Sequence, residues 1–239
     1  MIAMIVSVFL RKRTRMVRTS LLLLFLLSFF SCKDNTPKEN NTTQTVHNLA
    51  PAEAIANRYG VKHWDKVKIL SFTFNVDRGE NHFERSYSWE PKTGKVTYKT
   101  ASDTLTFIHN KPTDSLQTEA DKAFVNDKYW LLSPFQMVWD KVSYRDSVDV
   151  IAPISKDTLQ KLTIIYGDEG GYTPGDAYDF YFANDFTVKE WTFRKGNQES
   201  PSLVNTWNDI EEHQGIRFTT KFQDSTGNFQ LYFTNIEIK

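Results

Sequence analysis

The side chains best suited to acid–base or metal chemistry are scattered along this 239-residue sequence. A metal centre or an acid–base pair needs side chains that converge, and short motifs such as H-E-x-x-H place them together on one helix face. No two histidines stand at a ligand spacing, so each is interpreted as a surface or packed residue. The histidines are His47, His63, His82, His109 and His213.

Two segments carry clustered acids. Glu211 and Glu212 precede His213, but neighbouring residues in a loop seldom converge on one substrate atom. The loop 167–176 combines three carboxylates with glycines, as calcium loops do, but it lacks the ligand register of an EF-hand, which favours a solvated connection. Nucleophile, phosphate and dinucleotide motifs are absent. The sequence therefore predicts no catalytic residue, no metal site and no cofactor.

A different reaction, acylation of a thiol, is indicated at Cys32, the one cysteine in the chain. The basic segment Arg11–Arg18 precedes the apolar segment Leu21–Phe30, which is shorter than the roughly 20 residues that span a bilayer. This segment runs into Cys32 in a pattern that resembles the lipobox of bacterial lipoproteins. Phe29-Phe30 departs from it, since Leu and a small residue are usual there. The resemblance implies cleavage before Cys32 and acyl chains, palmitate included, on that residue.

The domain organisation follows from this cleavage site. Residues 1–31 are the predicted signal peptide, 32–50 the acylated cysteine and a polar, flexible tether, and 51–239 the folded domain. Lys33-Asp34, with no Asp directly after the cysteine, favours the outer over the inner membrane of the cell envelope. A plain secretory signal with an incidental cysteine is the alternative, and Met16 is an alternative start.

Charge and cysteine content argue against a nucleic-acid-binding protein and against a domain stabilised by disulfides. Five basic and no acidic residues precede Cys32, so their removal turns the balance of 29 basic and 29 acidic side chains into about −5. Nucleic acid is bound through cationic surface, and this domain offers little of it. A single cysteine also allows no internal disulfide.

Alternating apolar residues predict a mainly β, α+β domain. About ten segments show the alternation, and turns separate them, which suggests one large curved antiparallel sheet that forms an incomplete barrel, with two or three helices on its concave face. The predicted strands are Leu70–Val76, Phe83–Trp89, Val96–Thr100, Leu105–His109, Val142–Val150, Leu162–Tyr166, Tyr178–Phe182, Val188–Thr192, Ile216–Phe222 and Phe229–Phe233.

Two helices are predicted outright. The first spans Pro51–Gly60 and ends on a glycine cap. The second starts after Asp114 or Ser115 and runs to about Lys128, with Leu116, Ala120, Ala123 and Phe124 on one stripe. The apolar segment Tyr129–Trp139, which Pro134 interrupts, follows as a lid.

Aromatic residues are the remaining signal. Side chains two apart in a strand share a face, so the strand aromatics should point toward the face that the Tyr129–Trp139 segment covers. If space remains between these aromatics and the Tyr129–Trp139 segment, a lipophilic ligand could bind there. If side chains fill that space, the domain has a structural role instead. The predicted cavity residues are Phe72, Phe74, Trp89, Trp130, Phe135, Trp139 and Phe180.

Several segments together resemble the lipoprotein-carrier superfamily, the half-barrels like LolA, LolB and LppX, and more closely Gram-negative lipoproteins related to them. Val61 departs from the pattern, since a second glycine is common there. The resembling segments are Tyr59–Trp64, Leu70–Phe72, Leu131–Phe135, Pro174–Phe182, Val188–Trp191 and His213–Phe218.

The resemblance implies a half-barrel with a helical lid that binds acyl chains or hydrophobic partners. The leading hypothesis is a non-enzymatic, membrane-anchored periplasmic lipoprotein that binds a lipid or other lipophilic ligand. A structural or protein-interaction module of the cell envelope with a filled core is the alternative, and a hydrolase is third. The oligomeric state stays open.

Overall fold

The computed structural model describes residues 50–169, 172 and 174–239. The predicted signal peptide, Cys32 and the tether up to residue 49 lie outside the described residues. The helices are α1 (Ala50–Arg58), a 3-10 helix (Val61–Lys66), α2 (Ser115–Trp139) and a short 3-10 helix (Lys195–Asn197). The strands are β1 (Leu70–Arg78), β2 (Asn81–Glu90), β3 (Lys95–Lys99), β4 (Thr104–Ile108), β5 (Val142–Ile151), β6 (Thr158–Tyr166), β7 (Ala177–Phe182), β8 (Val188–Arg194), β9 (Leu203–His213), β10 (Ile216–Gln223) and β11 (Phe229–Ile238).

All of these strands form one antiparallel sheet in the order β4-β3-β2-β1-β11-β10-β9-β8-β7-β6-β5. Every strand pairs with its chain neighbours except β4 and β5, and β1 pairs with β11 to join the two halves. The sheet stays open, with β4 and β5 as its edges, which confirms the predicted incomplete barrel. Helix α2 connects these two edges, so its 25 residues, about 37 Å of helix, cross from one side of the sheet to the other.

Strand β9 was missed by the sequence analysis. It carries Asn205, Asn208 and Asp209 between its apolar residues, which hides the alternation. The predicted loop at Glu211-Glu212-His213 is wrong, because these residues form the end of β9, where His213 pairs with Ile216 of β10.

Helix α2 is longer than predicted. Asp114 caps it as expected, since its side chain accepts a hydrogen bond from the Gln117 amide at 2.8 Å. The helix does not end near Lys128 but continues through Pro134 to Trp139. A proline inside a helix costs about 3 kcal/mol, and burial of the surrounding apolar side chains on the sheet outweighs this cost. The predicted lid is therefore the second half of α2.

Burial on α2 follows the predicted stripe only in part. Ala120 and Phe124 are buried, whereas Leu116 is 73% exposed. The prediction for Leu116 is wrong because the first turn of α2 precedes the packed part of the helix, which begins at Ala120.

Helix α1 docks on the turn between β9 and β10. Ile55 and Tyr59 are buried on its inner face, as predicted. Gly60 has φ +90°, and a Cβ there would lie 2.1 Å from the Gly215 carbonyl oxygen. The chain after α1 therefore requires glycine, since no other residue combines this backbone conformation with so close an approach. The Arg217 amide then donates to the Tyr59 carbonyl at 2.9 Å.

Candidate functional site

The concave face receives the apolar residues of β1 and β2. Cross-strand partners share a face, and Leu70 lies opposite Trp89 while Phe72 lies opposite Tyr87. Phe124 of α2 packs on Trp89, with ring centroids 5.5 Å apart. The first half of α2 thus covers this part of the sheet.

The middle of the concave face is filled by aromatic rings. Trp130 of α2 contacts Trp191 of β8 with ring centroids 4.4 Å apart, and Phe180 contacts the same Trp191 at 5.9 Å. Trp191 in turn meets Trp207 at 6.0 Å. Side chains from α2, β7, β8 and β9 therefore form one buried aromatic cluster.

The predicted cavity residues have two different environments. Six are buried, and Trp139, at the end of α2, is 41% exposed. Trp139 packs on Trp64 and Phe135, with centroid distances of 5.0 and 5.4 Å. Each of the seven contacts another aromatic ring. The buried six are Phe72, Phe74, Trp89, Trp130, Phe135 and Phe180.

Polar atoms inside this aromatic cluster lack hydrogen-bond partners among the described residues. Asn205 is fully buried opposite Trp191, and neither its Nδ2 nor its Oδ1 is paired. The Nε1 atoms of Trp191 and Trp207 are also buried without a partner. Unpaired buried polar groups destabilise the fold by about 1–3 kcal/mol each.

A pocket of about 340 Å³ lies at the hairpin end of β1 and β2. Phe74 lines it, so one of the predicted cavity residues belongs to it, and the other lining residues come from the same two strands. Phe83, 48% exposed, forms part of its wall. The lining residues are Phe74, Val76, Arg78, Asn81, His82, Phe83 and Arg85.

The alternation of side chains along β1 explains which residues form the floor of the pocket. Phe74, Val76 and Arg78 stand two apart on the concave face, and their β2 partners are Arg85, Phe83 and Asn81 respectively. Apolar side chains therefore line the inner part of the pocket and Arg78 its outer end. Of these residues only Phe74 was predicted from the sequence. The alternation of β1 continues through Val76 to Arg78, and this continuation is the sequence feature that indicates the rest of the pocket.

A buried ion pair ties the pocket to α2. Arg85 donates from Nε and Nη2 to the two carboxylate oxygens of Asp127, at 2.5 and 2.7 Å. The Tyr87 hydroxyl donates to the same carboxylate at 2.9 Å, and Asp127 is fully buried. Burial opposes the charge on Arg85, but the Asp127 carboxylate outweighs it and raises the pKa of this guanidinium. Arg85 also stacks 5.3 Å from the Phe74 ring.

A second polar cluster lies where β4 meets α2. His109 Nδ1 lies 2.7 Å from Asp121 Oδ1, and its Nε2 lies 3.3 Å from Lys128 Nζ. Burial, and then the Lys128 charge, lower the pKa of His109. The neutral ring thus donates from Nδ1 to the buried carboxylate and accepts at Nε2 from the ammonium. The Tyr172 hydroxyl donates to Asp121 at 2.9 Å.

The other histidines and acids occupy separate surface positions. His82 pairs with Asp77 at 2.7 Å, and this hydrogen bond raises the pKa of His82. His213 lies 3.1 Å from Glu211 on β9. His47 lies outside the described residues. Within the described ranges, no group of three His, Cys, Asp or Glu side chains could hold a metal ion.

The loop between β6 and β7 is described at residues 167–169, 172 and 174–176. Asp176 accepts a hydrogen bond from the Gly196 amide at 2.7 Å, so this carboxylate fixes a neighbouring turn. Tyr172 reaches Asp121, as above. The described carboxylate contacts in this loop are therefore structural.

The fold defines an open, curved antiparallel sheet with a long helix across its concave face. No family model matches the sequence, and no curated protein matches it. Solved structures to which the chain is similar include a DUF1329 family protein from Desulfovibrio piger, at 9% identity and a TM-score of 0.45, covering 80% of this chain and 92% of that one.

Two further solved structures are similar to the chain at the same low identity. One is an outer membrane lipoprotein-sorting protein domain from Vibrio parahaemolyticus, at 9% identity and a TM-score of 0.46, with 80% and 92% coverage. The other is a LolA superfamily protein from Nitrosomonas europaea, at 9% identity and a TM-score of 0.38, with 79% and 93% coverage. Among the described residues, no helix combines the length and apolarity needed to cross a membrane.

Proposed function

We propose that this chain is a non-enzymatic protein of the cell envelope that binds a lipid or other lipophilic ligand in the β1–β2 pocket. The observation that supports the proposal is the pocket itself, about 340 Å³ with Phe74, Val76 and Phe83 on its walls. Phe83, 48% exposed, and the partly buried Val76 supply apolar surface that a ligand in this pocket would cover.

The pocket volume sets the scale of the ligand. Ligand pockets range from about 300 to 1,000 Å³, and this one lies near the lower end. Each methylene group transferred from water to such a surface contributes about 0.8 kcal/mol. One alkyl chain is therefore a better match than a lipid with several chains.

A titration with the neutral lipophilic dye 1-N-phenylnaphthylamine tests the proposal. The full chain should bind the dye saturably, and Val76→Trp, which fills the pocket floor, should abolish most of the fluorescence gain. The matched control is Val148→Trp on the edge strand β5, far from β1 and β2 in the strand order, where the side chain is already 71% exposed. Equal dye binding by both variants would place the ligand site elsewhere.

The proposed anchor rests on the lipobox-like pattern around Cys32. We propose that the cysteine carries acyl chains and holds the domain to a membrane, the outer one by the Lys33-Asp34 pattern. A single chain binds a membrane only marginally, so more than one is needed for a stable anchor. Cys32→Ala should lose incorporation of radiolabelled palmitate and leave the membrane fraction. A variant that still partitions with membranes would contradict the anchor.

The aromatic cluster favours a second candidate function, an interaction module of the cell envelope. Trp130, Trp191 and Phe180 pack against one another, so this part of the concavity is core. If that candidate is correct, the β1–β2 pocket serves no ligand, and Val76→Trp leaves the dye titration unchanged.

A further inference from the structure

The charges around the β1–β2 pocket separate by face of the sheet. Arg78 lies on the concave side, in register with Phe74 and Val76. The acids of the same hairpin, Asp77 and Glu84, alternate to the convex side and approach His82 at 2.7 and 3.6 Å, and His82 also borders the pocket.

Arg78 has no ion-pair partner among the described residues. Its guanidinium stacks 5.2 Å from the Phe229 ring, which holds the side chain against the strand neighbours of the pocket. Glu80, in the turn of the hairpin, forms no ion pair with it in the described part of the chain. The full positive charge of Arg78 therefore lies at the outer end of an apolar pocket.

Arg85 supplies further donors without further net charge. Asp127 neutralises it through Nε and Nη2, while no hydrogen bond of Nη1 is found among the described residues. Arg85 also lines the pocket. Among the described residues that line the pocket, Arg85 and His82 have carboxylate partners, so Arg78 is the one charged side chain there without an ion-pair partner, beside an apolar floor.

We propose that the ligand is a single-chain amphiphile whose anionic head group binds Arg78 and whose chain lies on Phe74, Val76 and Phe83. This inference rests on the proposed function and adds the chemical class of the ligand to it. A guanidinium recognises carboxylate and phosphate oxygens through paired hydrogen bonds, and such charge-assisted bonds are about twice as strong as neutral ones. Because the pocket is small, one bound ligand can contact the apolar floor with its chain and Arg78 with its head group at the same time.

Displacement of bound 1-N-phenylnaphthylamine by dodecyl compounds measures the contribution of the head group to binding separately from that of the chain. Dodecanoate and dodecyl phosphate carry the anion, dodecanol has no charge, and dodecyltrimethylammonium carries a cation, while all four share one chain. For the wild-type chain below the critical micelle concentrations, at least one anion should displace the dye at roughly tenfold lower concentration than dodecanol, the value of one charge-assisted hydrogen bond. The stronger anion identifies the head group as a carboxylate or a phosphate.

Substitutions at Arg78 test whether this side chain causes the preference for anionic head groups. Arg78→Gln should remove the preference for anions, and Arg78→Lys should keep part of it, because the charge remains and the paired geometry is lost. Arg145→Gln, on exposed β5, is the matched control and should behave as wild type. Since Arg78 is exposed, these variants should unfold at the wild-type denaturant midpoint.

Two results would overturn the inference in different ways. If the dye binds but all four compounds displace it equally, or Arg78→Gln keeps the preference, the pocket binds lipophiles without regard to the head group. If the dye does not bind saturably to the wild-type chain, the proposed function fails, and the inference fails with it.

Discussion

The Asp127 carboxylate is the point at which one substitution should most weaken the connection between α2 and the sheet. It is fully buried, it is 2.5 Å from Arg85 Nε, and it accepts a third hydrogen bond from Tyr87. Asp127→Ala leaves the guanidinium and the phenol without their partner. Breaking a buried ion pair by removing one member costs about 3–5 kcal/mol.

The structure places the expected cost near the lower end of that range. The Arg85 side chain is 18% exposed and lines the pocket, so water reaches part of the guanidinium after the carboxylate is removed. We expect Asp127→Ala to lower the free energy of unfolding by about 3 kcal/mol. Asp127→Asn should lose less, because the amide oxygen still accepts one hydrogen bond.

Urea denaturation followed by tryptophan fluorescence measures these losses, provided that the transition slope is unchanged. Glu119→Ala is the control on the same helix, since Glu119 is exposed and pairs with Lys122 one turn away; it should cost under about 0.5 kcal/mol. A loss below about 1 kcal/mol for Asp127→Ala would refute the assignment of this pair as a buried connection.

Two further variants probe the polar groups of the interior. Because burial lowers the pKa of His109, the unfolded chain binds more of this proton than the folded chain as the pH falls through about 6.5, so stability should fall with the pH, by up to about 1.4 kcal/mol per pH unit. His109→Gln, which keeps a polar contact to Asp121 and Lys128, should flatten this slope in denaturation between pH 7.5 and 5.5; equal slopes would contradict the burial argument. Asn205→Val replaces the unpaired amide by an apolar side chain that is only slightly larger and that suits a strand, and it should raise the free energy of unfolding by about 1–2 kcal/mol; a strongly destabilised variant would show that the amide has a partner.

Local patterns determined the strands that sequence analysis found. Leu70, Phe72 and Phe74 alternate with Ser71, Thr73 and Asn75, so the apolar residues of β1 fall on one face, although Thr73 and Asn75 on the other face are buried as well. Strand β9 was missed because Asn205, a polar residue, lies in the interior, so its pattern does not alternate between apolar and polar. The tolerance of Pro134 by α2 depends on tertiary packing, which no local pattern reports.

The pocket and the two polar clusters depend on contacts distant in sequence. Arg85 and Asp127 are 42 positions apart, and only the docking of α2 on β2 brings them together. Asp121 and Lys128, seven apart, share one face of α2, which was a visible signal of polar residues on a buried stripe. Their partner His109 belongs to the end of β4, and the sequence gives no indication of that pairing.

Mass spectrometry of organic extracts from the purified, untagged protein, prepared without detergent, tests for a bound ligand without any added probe. A single-chain anionic amphiphile should be present at near-stoichiometric amount in the wild-type extract. The same species should be depleted from Val76→Trp and retained by Val148→Trp. Wild-type extracts that contain no lipid, or the same lipid at the same amount in both variants, would contradict a ligand site in the β1–β2 pocket.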